Sequence, residues 1–309
     1  MTVAFIFPGQ GSQSVGMLSE LAEQYAEVNN TFSSASDVLG YDLWKLVKEG
    51  PDTELNQTSK TQPAMLAAGV ATYRVWQMKN GTTPVCMAGH SLGEYTALVC
   101  SGAITFEDAV SLVADRGRFM QEAVPEGQGA MAAILGLEDD IVRQVCTDAQ
   151  QGDVVSAVNF NAPGQVVIAG SKDAVTRATE LAKEKGAKRA LLLPVSVPSH
   201  CALMKPAADQ LAERMQSINI SVPSVPVINN VDVSVSADAD SIRDALTRQL
   251  FSPVRWVETI LKMQADGVDN LIECGPGKVL VGLNKRIAKT MTAVPVFDPE
   301  SLEKALQEQ

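Results

Sequence analysis

The sequence predicts an α/β protein in two parts: a larger domain with a central, mainly parallel sheet, and a smaller βαββαβ unit inserted into it. Three observations carry this. Short apolar runs alternate with amphipathic helical stretches through residues 1–120. A Pro/Gly-rich break, VPEGQG at 124–129, then interrupts the pattern. Between that break and LLLPVSVP at 191–198 lies a unit with the order β-α-β-β-α-β, the split ferredoxin-like arrangement. The expected boundaries are 1–126 and 195–309 for a discontinuous larger domain, and 127–194 for the ferredoxin-like subdomain.

VAFIF at 3–7 reads as a first buried strand, and PVCMA at 84–88 as another. GHSLGEYTAL follows directly at 89–98, placing Ser91 between two glycines at the spacing G-x-S-x-G. Behind the serine, LGEYTALVC opens a helix with Glu94 in its first turn, where a carboxylate complements the dipole. Strand, G-x-S-x-G and helix together form the nucleophile elbow of an α/β-hydrolase-like domain, with the Leu92 amide aimed at any oxyanion formed there. The motif by itself also permits a serine that only turns the chain. TFEDAVSLVADRGRFMQEA at 105–123 is an amphipathic helix opened by Thr105 and Asp108. The inserted unit then reads as a strand in GAMAAILG, a helix in LEDDIVRQVCTDAQ, and strands in VVSAVNF and QVVIAG. Those two strands are joined at NAPG, where Pro163 and Gly164 supply the turn. A second helix, KDAVTRATELAKEKG, and a third apolar strand in AKRALLLPV complete it.

Composition narrows the function. Of 309 residues, 46% are hydrophobic and 20% charged, which suits a folded globular chain. Apolar runs are too short to span a bilayer, and MTVAFIFPGQG lacks the basic start of a signal peptide. Five scattered cysteines without a C-x-x-C predict a reducing cytoplasm and neither a disulfide framework nor a metal site. A net charge of −11 argues against nucleic-acid binding. FPGQGSQSVG puts Ser14 where a dinucleotide fingerprint needs its third glycine, and ECGPGKVL lacks the upstream glycine and hydroxyl of a phosphate loop. Two basic islands interrupt the acidic surface. One is KEKGAKR at 183–189, with Lys188 and Arg189; the other lies between 274 and 297, with Lys285 and Arg286. Each is either a solvated helix end or a patch for an anionic partner.

A serine nucleophile needs a base, and the chain has two histidines. His90 adjoins Ser91 and projects elsewhere, whereas His200, in VSVPSHCALM, sits in a loop after a strand, where α/β sites assemble. His200 is the expected base, and neighbouring Cys201 is expected to be structural. No acid between Ser91 and His200 declares itself as a third member, so a backbone or amide oxygen is an alternative orienter. Arg116 falls within the apolar stripe Ala109, Leu112, Val113, Phe119, Met120. Either a protein carboxylate satisfies it, or it awaits an anionic acyl group whose carboxylate it would grip.

Taken in order, FPGQGSQ, TQPA, GHSLGEY, RGRFMQEA, NFNAPGQVVIAG, VSVPSH, NNVD, SPVRW and GPGKVL run over essentially the whole chain. In these motifs the sequence resembles the malonyl-CoA:acyl carrier protein transacylases of bacterial fatty acid synthesis. The resemblance implies that Ser91 is acylated, that His200 is its base and that Arg116 binds the malonyl carboxylate. It implies an oxyanion hole from the amides of Gln10 and Leu92, and a Gln249 carbonyl that orients the imidazole. Gln62 and Asn161 lie in family motifs without an assigned catalytic role. The implied substrates are malonyl-CoA and holo acyl carrier protein, with no permanently bound cofactor, no membrane partner and a monomeric state. Acidic carrier proteins make Lys188, Arg189, Lys285 and Arg286 the expected docking residues. The competing readings are a serine hydrolase or thioesterase for an acidic acyl thioester, and a non-catalytic carrier-protein-binding module.

Overall fold

The computed structural model describes residues 2–195 and 197–308; Met1, Gln309 and Ser196 of the VSVPSH motif lie outside the described residues. The chain opens with β1 (Val3–Phe7), buried at every position, as a strand covered on both faces must be. Four short to medium helices follow: α1 (Ser19–Gln24), α2 (Ala26–Leu39), α3 (Leu43–Glu49) and α4 (Asp52–Leu55). The long α5 (Thr58–Met78) is buried along most of its length, under β1 and between its helical neighbours. Then come β2 (Cys86–Gly89), α6 (Gly93–Cys100) and α7 (Phe106–Ala123), whose N-cap Thr105 accepts from the Asp108 amide.

The second sheet is built from β3 (Gly129–Leu135), α8 (Asp139–Ala149), β4 (Val155–Ala162), β5 (Gln165–Ser171), α9 (Lys172–Glu184) and β6 (Arg189–Leu192). Its order is β4-β5-β3-β6, antiparallel throughout. Gly164 has φ 66, the left-handed value that a type II turn after Pro163 requires. One face of the sheet packs on α8 and α9 through Ile134, Val142, Phe160, Ile168 and Val175. The other face presents Met131, Val158 and Val167 to Cys201 and Leu203 of the rest of the molecule. The apolar run at 190–193 makes less core than its composition suggests. β6 is the edge of its sheet, so Ala190 is buried while Leu191 and Leu192 are exposed.

The chain then adds α10 (Lys205–Met215), β7 (Val227–Ile228), α11 (Ala239–Gln249), α12 (Trp256–Ala265), β8 (Asn270–Cys274), α13 (Val279–Ile287), β9 (Thr292–Val296) and α14 (Pro299–Gln307). The central sheet has the order β7-β2-β1-β8-β9, and every pairing in it is parallel. Backbone and side-chain hydrogen bonds add to the apolar contact of Met131, Val158 and Val167 in holding the sheets together. The Phe160 amide donates to the Val254 carbonyl at 3.0 Å and the Val254 amide to the Val158 carbonyl at 2.8 Å, while Arg286 reaches the Pro163 carbonyl at 2.7 Å. The register Phe7↔Gly89 brings the loops after β1 and β2 out side by side at the carboxyl edge of the central sheet. Ligand sites of open parallel sheets form at this edge.

Candidate active site

Ser91 stands in the loop between β2 and α6 with φ 52, a left-handed conformation that costs a non-glycine residue roughly 1–2 kcal/mol. The turn is that sharp because the strand end and the helix start nearly touch. A Cβ on Gly89 would lie 1.8 Å from the Gly93 carbonyl carbon, and one on Gly93 would lie 2.1 Å from the Phe7 oxygen. Asn230, just beyond β7, closes the turn with its side chain. Its Oδ1 accepts from the Ser91 amide at 2.7 Å and its Nδ2 donates to the Gly89 carbonyl at 2.7 Å. Those two bonds offset the strain of the elbow.

His200 also has a positive φ, 67, and its amide donates to the Leu250 carbonyl at 2.9 Å. Its Nε2 lies 2.8 Å from Ser91 Oγ and its Nδ1 2.7 Å from the Gln249 carbonyl oxygen. A carbonyl can only accept, so Nδ1 carries the hydrogen and Nε2 presents a lone pair to the hydroxyl. Burial, reinforced by the nearby Arg116 charge, pulls the imidazole pKa down to about 3, so the ring is neutral at neutral pH. No carboxylate bonds His200 among the described residues; the backbone at the end of α11 fills that place.

Arg116 projects from the buried stripe of α7 and is 1% exposed. Its Nη2 donates to Gln249 Oε1 at 3.0 Å and to Ser91 Oγ at 3.3 Å, and its guanidinium carbon stands 5.3 Å from the centre of the Tyr95 ring. Its Nε is buried with no acceptor, and among the described residues no carboxylate forms an ion pair with it. Burial lowers its pKa, but a guanidinium stays charged in a protein. Arg118, on the opposite face, pairs with Asp115 and Glu122 in solvent.

The Gln249 side chain runs from this arginine to a buried acid. Its Nε2 donates to Glu94 Oε2 at 2.8 Å and to the Ser91 carbonyl at 3.1 Å, and the Asn230 amide reaches the same Oε2 at 2.9 Å. Glu94 is thus in the first turn of α6, as its sequence position implies, but its side chain runs inward. Burial raises its carboxyl pKa to about 7 against the opposing pull of these donors and of Arg116.

One cavity between the two sheets gathers Ser91, His200 and Arg116, with Gln10 and Leu92 on its border. Its apolar wall comes from Met120, Met131, Leu193, Val195 and Val197. His90 borders the cavity too, but its Nε2 meets Asn161 Oδ1 at 2.8 Å across the junction of the sheets. Gln62 is buried beside Met120, with Oε1 unpartnered. Cys201 is buried, its thiol bonded to the Pro198 carbonyl and its pKa pushed up to about 11 by burial, a structural thiol. The docking candidates lie outside the cavity. Lys188, Arg189 and Arg286 border a shallow depression at the Pro163–Gly164 turn, so the two basic islands converge, with Lys285 exposed in the last turn of α13.

Residue patterns alone did not single out Asn230, the inward path of Glu94 or the Gln249 side chain. NNVD was visible as a motif without a role, and the glutamate as a first-turn acid; nothing in their spacing announces that they meet.

The acyl transferase domain model matches residues 4–301. The malonyl CoA-acyl carrier protein transacylase of Escherichia coli K12 is 60% identical over 304 residues, 98% of each chain, and that of Bacillus subtilis is 48% identical over 307 residues, covering 99% of this chain and 96% of its own. The crystal structure of an acyl carrier protein S-malonyltransferase from Vibrio cholerae superposes with a TM-score of 0.96 at 62% identity, over 98% of this chain and 99% of that one. A malonyl-transacylase in complex with a type II PKS acyl-carrier protein superposes with a TM-score of 0.99 at 57% identity over the full length of both. The chain belongs to the acyl transferase domain family, among the malonyl CoA-acyl carrier protein transacylases.

Proposed function

We propose that, as a member of that family, the chain moves a malonyl group from coenzyme A to the phosphopantetheine thiol of acyl carrier protein, for fatty acid synthesis, through a malonyl-serine. Ser91 Oγ attacks the thioester carbonyl carbon while His200 Nε2 takes its proton, a transfer for which the 2.8 Å contact and the neutral ring are suited. The tetrahedral oxyanion rests between the Leu92 and Gln10 amides. The C–S bond then breaks, His200 returns the proton to the departing coenzyme A sulfur, and malonyl-serine remains. The carrier thiol next attacks the ester carbonyl, giving its proton to His200, which passes it to Ser91 Oγ as the ester C–O bond breaks. The Gln249 carbonyl holds the imidazole throughout and stabilises it when charged.

The observation that carries this reading is the buried guanidinium of Arg116, beside the seryl oxygen, with its Nε unpartnered and, among the described residues, no carboxylate paired to it. Such a group suits an acyl chain that ends in its own carboxylate. The strand end, Ser91 turn and α6 make the nucleophile elbow of an α/β-hydrolase-like domain formed by 1–126 and 195–309. Residues 127–194 form the ferredoxin-like subdomain, whose strand order from the edge is fourth, first, third, second. The reaction is placed in the cytoplasm, where fatty acid synthesis of this family would run; no helix among the described residues is long and apolar enough to cross a membrane.

Intact-protein mass spectrometry after mixing with malonyl-CoA tests the route. A malonyl adduct is expected on the wild type, absent from Ser91→Ala and discharged by holo carrier protein. An adduct released to water at the same rate without carrier would identify a hydrolase instead, and no adduct without hydrolysis would leave only a carrier-binding module.

A further inference from the structure

The Gln249 amide has two chemically different ends, and its direction decides what Arg116 meets. With Oε1 toward Arg116, the glutamine accepts from Nη2; reversed, it would set N–H against N–H. On the far side, Nε2 faces two acceptors, Glu94 Oε2 and the Ser91 carbonyl. Of these, the Glu94 side chain also anchors the elbow. Its Oε2 takes the Asn230 amide, and Asn230 in turn holds both the Ser91 amide and the Gly89 carbonyl. The backbone of Gln249 meanwhile accepts from His200.

From this connectivity we infer that Glu94 is a positioning residue of the transfer site: its one oxygen, by bonding Gln249 and Asn230 together, sets the placement of the Arg116 guanidinium beside Ser91. The Glu94 carboxylate makes no bond to the Ser91 hydroxyl and does not line the cavity; only its backbone amide meets the serine, donating to the Ser91 carbonyl at 3.1 Å. It acts through Gln249 on Arg116, and through Asn230 on the seryl turn. Because both donors converge on one oxygen, a neutral glutamine at position 94 can keep both bonds with its own carbonyl, whereas an alanine keeps neither. The role is therefore one of geometry, which the amide reproduces. It rests on the reading of Arg116 as the carboxylate-binding group.

The test compares malonyl-CoA with acetyl-CoA as donors, as the ratio of kcat/KM values. Wild type, Arg116→Ala, Glu94→Ala, Glu94→Gln, Gln249→Leu and the Glu94→Ala/Gln249→Leu pair are measured together. Gln249→Leu keeps the backbone carbonyl that holds His200 and breaks the same relay from its other end, so it carries the test even where Glu94→Ala does not fold. Glu94→Ala and Gln249→Leu should each cut the malonyl preference by about tenfold or more, as expected for breaking a buried charge-assisted network. The double variant should lose no more than the larger single loss, because both interrupt one relay. Glu94→Gln should stay within about threefold of wild type, on the expectation that its carbonyl preserves the bonds. If Arg116→Ala abolishes the preference while Gln249→Leu and folded Glu94→Ala keep it, the positioning role is wrong and the carboxylate reading survives. Glu94→Gln failing as badly as Glu94→Ala would overturn the geometric account. If Arg116→Ala itself leaves the preference unchanged, the underlying reading of Arg116 fails.

Discussion

The floor of the cleft and the basic rim of the Pro163–Gly164 turn, which lies outside the cavity, hold their charges in opposite ways. At the floor, Arg116, Glu94, Gln249 and His200 are buried, and hydrogen bonds at 2.7–3.1 Å fix Gln249, Glu94 and the imidazole in place. At the rim, Lys188, Arg189, Lys285 and Arg286 stand in solvent. A buried polar group works by position, since an unmatched partner has no water to fall back on. An exposed charge works through a summed field that salt screens within about 8–10 Å. The floor should therefore answer to single atoms and the rim only to several charges together.

The largest break at the floor is Ser91→Ala. Turnover should fall by roughly 10⁴-fold or more, the scale seen when a covalent nucleophile is removed, with the far-UV spectrum unchanged. A variant keeping more than a few per cent of wild-type turnover would move the nucleophile elsewhere. Arg116→Ala comes next and sorts binding from chemistry. Removing a buried charge partner typically costs about 2 kcal/mol or more, about 30-fold, in recognition of the matching ion. The loss should fall on malonyl-CoA and spare acetyl-CoA, measured as kcat/KM for each donor.

A smaller effect concerns pH. Burial and then Arg116 hold the His200 pKa in the folded protein near 3, below the 6.5 of the unfolded chain. Between those values the unfolded chain takes up a proton that the folded one refuses. Stability from this group is thus complete above pH 6.5 and drains away as pH falls toward 3, at up to roughly 1.4 kcal/mol per unit. The base stays neutral through the same interval. Single-turnover malonylation of Ser91 between pH 5.5 and 8 should show no inflection near 6.5. Glu94 titrates near 7 in the same network, so the measurement is repeated in Glu94→Gln; an inflection near 6.5 that persists there would mean that the imidazole titrates as an ordinary solvent-exposed ring.

The contrast also explains what the sequence reveals. Ser91 is legible because a strand, two close-approach glycines and a helix must be contiguous for the elbow to form. Arg116 is legible because helical periodicity shows an ion on an apolar stripe, and His200 because histidine is scarce. The two inserted helices and four strands follow from patterns of period 3.6 and 2 within one stretch. The Glu94–Gln249–Asn230 network has no such local signature. Its members lie 155 and 136 positions apart along the chain, and polar side chains satisfied by one another leave no periodicity to read. Periodicity likewise shows that residues 190–192 are apolar but not that their strand ends a sheet, which leaves Leu191 and Leu192 in solvent.

The smallest effects belong to the rim, and there the structure sharpens which residues to change. Islands almost a hundred positions apart in sequence meet at the Pro163–Gly164 turn, so their fields add toward one acidic partner. Arg286 is a poor probe of that field, because it also donates to the Pro163 carbonyl and to Gln165, tying the inserted sheet to α13. Its reversal would loosen the junction as well as change the charge. Lys188→Glu with Lys285→Glu is the cleaner pair. Together they should raise the KM for carrier protein several-fold at low salt, with the difference fading toward 0.5 M as the Debye length shrinks below ~5 Å. The KM for malonyl-CoA should hold. A rise shared equally by both substrates and indifferent to salt would show that the rim charges act by holding the site together, and the distinction between rim and floor would dissolve.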